Sequence, residues 1–563
     1  MKRSLPLALV TVALGVTGTV SAQRYLTEVF PTSSLIITPN VIYGTNIDFL
    51  TSNFGSPLVP GDIATLQTAV TLGDPIPAAY FDPSDPSTAV KVTNVRMDVY
   101  EPDQNVDTEA NRPVVVYLHT GNALPPPVNG SPNGRRTDST AVEMCSRMAR
   151  RGYVAISMSY RLGWNPLAPS EQERRGQLLN AIYRAIHDVR QCVRTLKADA
   201  DGDNTYNIDP TRVIVLGEGT GGYIALANAT LDEPAELYIE KFLPDPFDPT
   251  TSYVDSTQVG NLDGFNGALT LYRPNGYDHS SHFCVNMGGA LADTSWLAPG
   301  DVPMVAFHTT FDPFAPFTEG IVIVPTTGGP VVPVQGSNLF IQLANTFGNN
   351  NSFDDYVSID PYTARARSLY GTTVTHGTNN VLINTGTEGL YPMVTPDWTL
   401  VNSTFNEEAS PWQWWDPNSA LAQTVIIPGP PPITAGQASQ SSNPNFSGAK
   451  GRLYIDTIMG YMNPRIVCAL DLGPCDLFSG VSNASTTSTV DVYPNPASDL
   501  FTVSGGTATI QRMELFDMNG RLVRTASVNA RQAVIAREGL RAGAYMVQLH
   551  FADGTAMRKL MLD

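Results

Sequence analysis

Histidine is scarce in this chain: there are seven in 563 residues, so chemistry that needs an imidazole has few places to find one. Cysteine is scarcer still, at five. That odd count leaves at least one thiol unpaired if disulfides form, and it excludes a disulfide-built scaffold. Positive charge is also short, with 34 Lys and Arg against 52 Asp and Glu and a net charge of −18. A surface this acidic repels phosphate backbones and argues against nucleic acid as a partner. Long apolar runs are missing too, apart from "LPLALVTVALGV" at residues 5–16. That run is too short to span a bilayer and no other segment is apolar enough, so no transmembrane segment is expected.

What is present begins at the N-terminus. Lys2 and Arg3 precede the apolar run, and Val20-Ser21-Ala22 offers small residues for cleavage before Gln23. These are the three parts of a secretory signal peptide over 1–22. In an exported chain, Cys468 and Cys475, which bracket the short turn "ALDLGP", are the best local disulfide candidate. Cys145 and Cys192 sit in helical patterns and read equally well as buried free thiols.

From 23 to 476, β-rich runs alternate with helical ones. "RPVVVYLHTG" (112–121), "YVAISMSYR" (153–161) and "RVIVLG" (212–217) read as strands. "TAVEMCSRMARRG" (140–152) and "GQLLNAIYRAIHDVRQCVRTLKAD" (176–199) carry apolar residues at helical spacing. Such alternation implies an α/β domain with a mostly parallel sheet covered by helices on both faces, and ligands at the carboxyl ends of its strands. Residues 477–489 are small, polar and nearly uncharged, which is the composition of a linker. From 490 to 563 the pattern turns all-β, with Asn-Gly and Asp-Gly turns between alternating segments, as in a small immunoglobulin-like sandwich.

The tail resembles the type A C-terminal sorting domain of the type IX secretion system of Bacteroidetes. The matching residues are Tyr493-Pro494-Asn495-Pro496-Ala497, Leu515-Phe516-Asp517, Asn519-Gly520, Gly543-Ala544-Tyr545 and Arg558-Lys559. The resemblance implies the type IX translocon as a partner. It also implies export through the periplasm to the outer cell surface or the medium.

Residues 213–229, "VIVLGEGTGGYIALANA", pass from an apolar strand through a glycine-rich corner into a helix. Together with "VVVYLHTGN", "GYVAISMSYRLGW" and "VPMVAFHTTFDPFAPF" (302–317), in that order, they resemble the α/β-hydrolase fold near its carboxylesterase and dienelactone-hydrolase branches. The resemblance implies a Ser-Asp-His triad, with the serine at the centre of a G-x-S-x-G elbow. Here the elbow reads Gly217-Glu218-Gly219-Thr220-Gly221, and Gly219 has no side chain with which to attack. Asp312 stands in the acid's place. With "NVLI" (380–383) read as the eighth strand, the loop after it holds no histidine, and Glu388 is its nearest ionisable residue. His376, the only histidine between Asp312 and the linker, is the alternative base.

Thr120, Gly121 and Thr220 occupy the oxyanion-loop positions, with Thr120 and Asn122 where the family carries glycines. Thr220 is a poor nucleophile in its place, since neighbouring residues of a tight turn point in different directions. Glu218 would point away from the reaction centre.

The sequence pattern calls for no cofactor and no metal. Asp199, Asp201 and Asp203 resemble the start of a calcium loop, but Asn204 and Pro210 stand where Gly and Glu would be needed, so the stretch reads as an acidic solvated turn. Trp412, Trp414 and Trp415 read as wedges of a long insertion, with a stacking platform as the alternative. "AKGRLYIDTIMGYMNPRIVCAL" (449–470) reads as the closing helix.

The function expected is a secreted hydrolase-fold protein with a degenerate triad that binds an unidentified small molecule or polymer. The alternative is an active carboxylic-ester hydrolase with relocated residues.

Overall fold

The alternating apolar runs become the strands of one eight-stranded sheet in a computed structural model. It describes residues 24–324, 327–354, 356, 360–473, 475, 490–517, 522–551 and 554–562. The segments read from sequence as a signal peptide (1–22) and a linker (477–489), and the Asn519-Gly520 dipeptide, lie outside the described residues.

In chain order the strands are β1 (Leu35–Asp48), β2 (Lys91–Pro102), β3 (Arg112–Leu118), β4 (Val154–Met158), β5 (Ile208–Glu218), β6 (Phe283–Met287), β7 (Met304–Thr309) and β8 (Leu390–Met393). Their order across the sheet is β1-β2-β4-β3-β5-β6-β7-β8. β1 and β2 run antiparallel to their neighbours, and all later pairings are parallel. Sequence inspection had not separated these two leading strands from the rest of the domain.

Every residue of β3 is buried. Val114, Val116 and Leu118 pack into one apolar cluster, while Val115 and Tyr117 pack into the other. Period-two alternation thus feeds two cores, which is what a sheet covered on both faces requires. Each such aliphatic side chain contributes about 1.5–3 kcal/mol on burial.

The helices Glu171–Asp201 and Thr220–Thr230 cover the first face, through Ile186, Val189 and Ile224. Ser170 caps the longer one by accepting from the Glu173 N–H. The helices Ser139–Arg150 and Gly448–Ala469 cover the second face, through Met144, Met148, Ile455 and Ile458. Cys468, at the end of that last helix, is bonded to Cys475, as its position in the sequence implied. Cys145, Cys192 and Cys284 are buried free thiols.

The eighth strand differs from the sequence reading. Asn379–Leu382 pairs antiparallel with Thr373–His376 in a separate hairpin, and Leu390–Met393 completes the main sheet beside β7. The apolar pattern of "NVLI" is genuine strand pattern, but periodicity does not say which sheet a strand joins.

The tail forms a three-stranded and a four-stranded sheet. They close over their own apolar core, which includes Phe501, Val503, Met513, Leu515 and Val547.

Candidate functional site

Gly219 lies between β5 and the helix Thr220–Thr230, with φ +53° and ψ −114°. A side-chain-bearing residue is strained in this left-handed region, and strain of this kind is what projects a group above the sheet at an elbow. A β-carbon on Gly217 would strike the Gly221 carbonyl, and one on Gly221 would strike the Leu118 carbonyl. The flanking glycines are therefore set by backbone-to-backbone contact.

At Gly219 the obstacle is a side chain. The Thr120 hydroxyl crowds the place of a β-carbon there, and the Thr120 Cβ would lie 3.1 Å from it, so a side chain at 219 requires the threonine to turn aside. The position carries no side chain, and a neighbouring side chain, not backbone, crowds it.

The oxyanion loop is engaged as well. Gly121, Asn122 and Ala123 all have positive φ. The Asn122 N–H donates to Thr220 Oγ1 at 2.6 Å, and Trp164 Nε1 donates to the Asn122 carbonyl at 2.7 Å. A backbone donor that would face a carbonyl oxygen is thus taken by a hydroxyl. The Thr220 N–H remains at the start of its helix, where no intrahelical acceptor exists.

Glu218 is buried behind the elbow. It accepts from Tyr117 Oη at 2.7 Å, Trp412 Nε1 at 2.9 Å and Gln413 Nε2 at 2.8 Å. Burial pushes its carboxyl up, and the three donors oppose that shift. These bonds fasten the 410–419 insertion beneath the elbow. Trp412 is wholly buried there, and Trp415 stacks on Phe446 at 3.9 Å. The tryptophans act as wedges.

Asp312 follows β7 and lines the same cavity as Gly219. Its Oδ1 accepts the N–H groups of Phe314 (2.8 Å) and Ala315 (3.0 Å). Burial raises its carboxyl to about 7 despite those two bonds.

His308 Nε2 is 3.8 Å from Asp312 Oδ2. That imidazole is already committed, however. Nε2 lies 3.0 Å from the Ala315 carbonyl, which can only accept, so Nε2 carries the proton and Nδ1 accepts from Ser337 Oγ at 2.8 Å. Burial holds His308 down at about 4.

The loop after β8 is Val394-Thr395-Pro396-Asp397, which contains no histidine. Glu388 does not take part in the site. It precedes β8, at the opposite end of that strand from the cavity, and pairs with Arg465 and Arg367. The two guanidinium groups outweigh its burial and lower its carboxyl. Its assignment to the base position followed from the misplaced strand.

His376 ends the hairpin strand Thr373–His376. It stacks on Phe311 at 4.2 Å, and its Nδ1 lies 2.9 Å from Glu407 Oε2. Its bonding is thus directed to Glu407, although the ring lies beside the residue preceding Asp312. The "DADGDN" stretch caps the helix Glu171–Asp201. Asp199 Oδ1 there accepts from Thr205, and Asp201 Oδ2 from Tyr277.

The cavity encloses about 800 Å³. Thr120, Gly121, Gly219, Thr220 and Asp312 form its floor, and the amides of Asn129, Asn133, Asn402 and Gln413 form much of its wall. A narrower apolar cavity of about 80 Å³ adjoins it, lined by residues such as Leu179, Ile182, Phe242 and Trp296.

Tyr223 borders both spaces and had not been singled out from the sequence. Its hydroxyl is buried with no hydrogen-bond partner among the described residues. The available signal was its spacing, since residues 220 and 223 share one face of the helix after the elbow.

Residues 97–255 match the BD-FAE family model, and residues 491–563 match the secretion system C-terminal sorting domain. The non-reducing polyketide synthase atr1 of Stereocaulon alpinum is 26% identical over 149 residues, which are 26% of this chain and 5% of that protein. The chain thus spans a small fraction of that curated relative.

Among solved structures, a Thermogutta terrifontis esterase 2 with bound propionate is 14% identical, at a TM-score of 0.26, over 40% of this chain and 70% of that one. The same esterase phosphonylated by cyclosarin is 15% identical, also at 0.26, over 40% and 69%. The chain is an α/β-hydrolase-fold protein with a type IX sorting tail, which directs it to the cell surface or beyond. No helix among the described residues is long and apolar enough to cross a membrane.

Proposed function

We propose that this secreted α/β-hydrolase-fold protein binds a ligand in its cavity without hydrolysing it. The observation that carries this reading is the bare glycine at the centre of an otherwise well-formed elbow, with the Thr120 hydroxyl crowding the space beside it. An acyl-enzyme route needs a hydroxyl and an imidazole within hydrogen-bond reach of each other. Gly219 supplies no hydroxyl, and the loop after β8 supplies no imidazole. Gly219 and Asp312 are then vestiges of a triad, and Thr120, Gly121 and Thr220 form the remnant of an oxyanion loop.

The ligand is an uncharged small molecule or polymer segment. Amide and hydroxyl side chains make up the polar lining, with Asp312 its one carboxylate, and the adjoining apolar space accommodates a short hydrocarbon or aromatic arm.

One observation favours the second reading, an ester hydrolase with relocated residues. A cavity carboxyl raised to about 7 is poised to take a proton from water near neutral pH.

Turnover of p-nitrophenyl acetate and butyrate by the purified protein separates the two, with and without a serine-directed fluorophosphonate. Background turnover and no fluorophosphonate labelling are expected. A rate of about 1 s⁻¹ or more that disappears in Asp312→Asn would establish the relocated hydrolase instead.

A further inference from the structure

We infer that His376, Asp397 and Glu407 form a binding site for a zinc-like divalent cation. One ligand atom from each lies within 4.8 Å of the others. The three come from separate segments: the hairpin Thr373–His376, the loop after β8, and the 402–409 stretch. Chain proximity therefore does not account for their convergence.

Each ligand is held. The His376 ring is buried and stacked on Phe311, which fixes its plane. Glu407 Oε2 sits 2.9 Å from His376 Nδ1. Thr399 Oγ1 donates to Asp397 Oδ1 at 2.6 Å, which orients that carboxylate.

An independent observation points to a missing partner. Asp397 Oδ2 is buried, although the residue as a whole is partly exposed, and it has no hydrogen-bond partner among the described residues. It faces the hairpin turn, 3.8 Å from where a β-carbon on Gly377 would lie. An oxygen in that position has room for a further partner, and a cation shared with His376 and Glu407 supplies one.

The donor set selects the ion. One imidazole and two carboxylates suit zinc, whereas calcium and magnesium take oxygen ligands throughout. Tetrahedral zinc with bonds of about 2.0–2.2 Å places its ligands roughly 3.3–3.6 Å apart. The cluster reaches that spacing by small side-chain rotations, and water completes the coordination.

The consequence concerns the cavity wall. Asn402, Thr404, Phe405, Asn406 and Ala409 line the cavity, and Glu407 lies among them in sequence. A bound ion clasps that wall to the hairpin and to the end of β8. This site does not depend on whether the cavity is catalytic.

The test uses the full chain, stripped with a chelator, incubated with zinc chloride and passed through gel filtration. Retained metal is then measured by mass spectrometry and the melting temperature by fluorescence. One zinc per chain and a higher melting temperature are expected for the unmutated protein. Asp397→Asn should weaken zinc binding at least tenfold while the metal-free melting temperature stays unchanged. Should that variant fold poorly, Glu407→Gln provides the same comparison. The site is refuted if the unmutated protein loses its zinc on the column, or if a folded variant retains zinc as well as the unmutated protein does.

Discussion

The elbow at Gly219 and the far edge of the sheet after β8 both lack the side chain that a serine triad places there, but in different structural settings. At the elbow, the form survives intact. β5 still breaks at Gly219 with φ +53° and ψ −114°, and the glycines on either side are still forced by neighbouring carbonyls. At the far edge, β8 is only four residues long, and a hairpin and a long insertion surround the place where a histidine would sit. Packing preserves the first because a change there strikes the backbone of β3. At the second, contacts between side chains hold the hairpin, as where His376 meets Phe311 and Glu407.

The sharpest way to break this contrast is at Gly221. A β-carbon there meets the Leu118 carbonyl, so Gly221→Ala should cost about 4 kcal/mol or more and remove the soluble folded protein. Soluble yield and circular dichroism check this, and a folded variant with an unchanged melting temperature would mean that the elbow is not sterically fixed.

Glu218 comes next in size. Glu218→Ala leaves Tyr117, Trp412 and Gln413 with buried donors and no acceptor, which should cost about 2–4 kcal/mol in denaturant unfolding.

Asp312 tests the chemistry left at the floor of the cavity. Its folded-state value of about 7 stands above the ordinary 3.8. The stability it contributes is therefore complete below about pH 4 and is lost as pH rises through 7, at roughly 1.4 kcal/mol per pH unit at most. Asp312→Asn should match the unmutated protein near pH 4 and exceed it at pH 8, as thermal melts across that range would reveal.

The smallest effect belongs to the far edge. Arg367 is well exposed, and Glu388 keeps Arg465 when it is removed. Arg367→Ala should therefore cost only about 0.5 kcal/mol and leave ligand binding and ester turnover unchanged.

The same contrast explains what could be read from the sequence. The elbow was legible because its sterics demand particular residues at particular spacings, and Gly217, Gly219 and Gly221 display them. The place of Asp312 beside the cavity was legible because it follows the mostly apolar strand Met304–Thr309. The tail was legible from its turn dipeptides and sorting motifs.

The eighth strand was not legible. "LYPM" is short and contains Pro392, whereas "NVLI" nearby has the stronger apolar pattern but pairs with Thr373–His376. Once the strand was displaced, Glu388 was displaced with it. The role of Thr120 was hidden for a different reason, because its contact with Gly219 joins residues 99 positions apart and leaves no trace in either local pattern. Glu218 and Trp412 were each noticed, but their bond spans 194 positions.

The threonine beside the elbow also bears on what a serine there would need. A serine at position 219 would set its β-carbon against the Thr120 side chain, which must turn aside, and the loop after β8 holds no histidine to use the new hydroxyl. A serine triad at this elbow needs at least two substitutions together, the serine and a histidine beyond β8, with the Thr120 side chain turned aside. A single substitution therefore completes no triad here, while the side chains that line the cavity are free to change with its ligand.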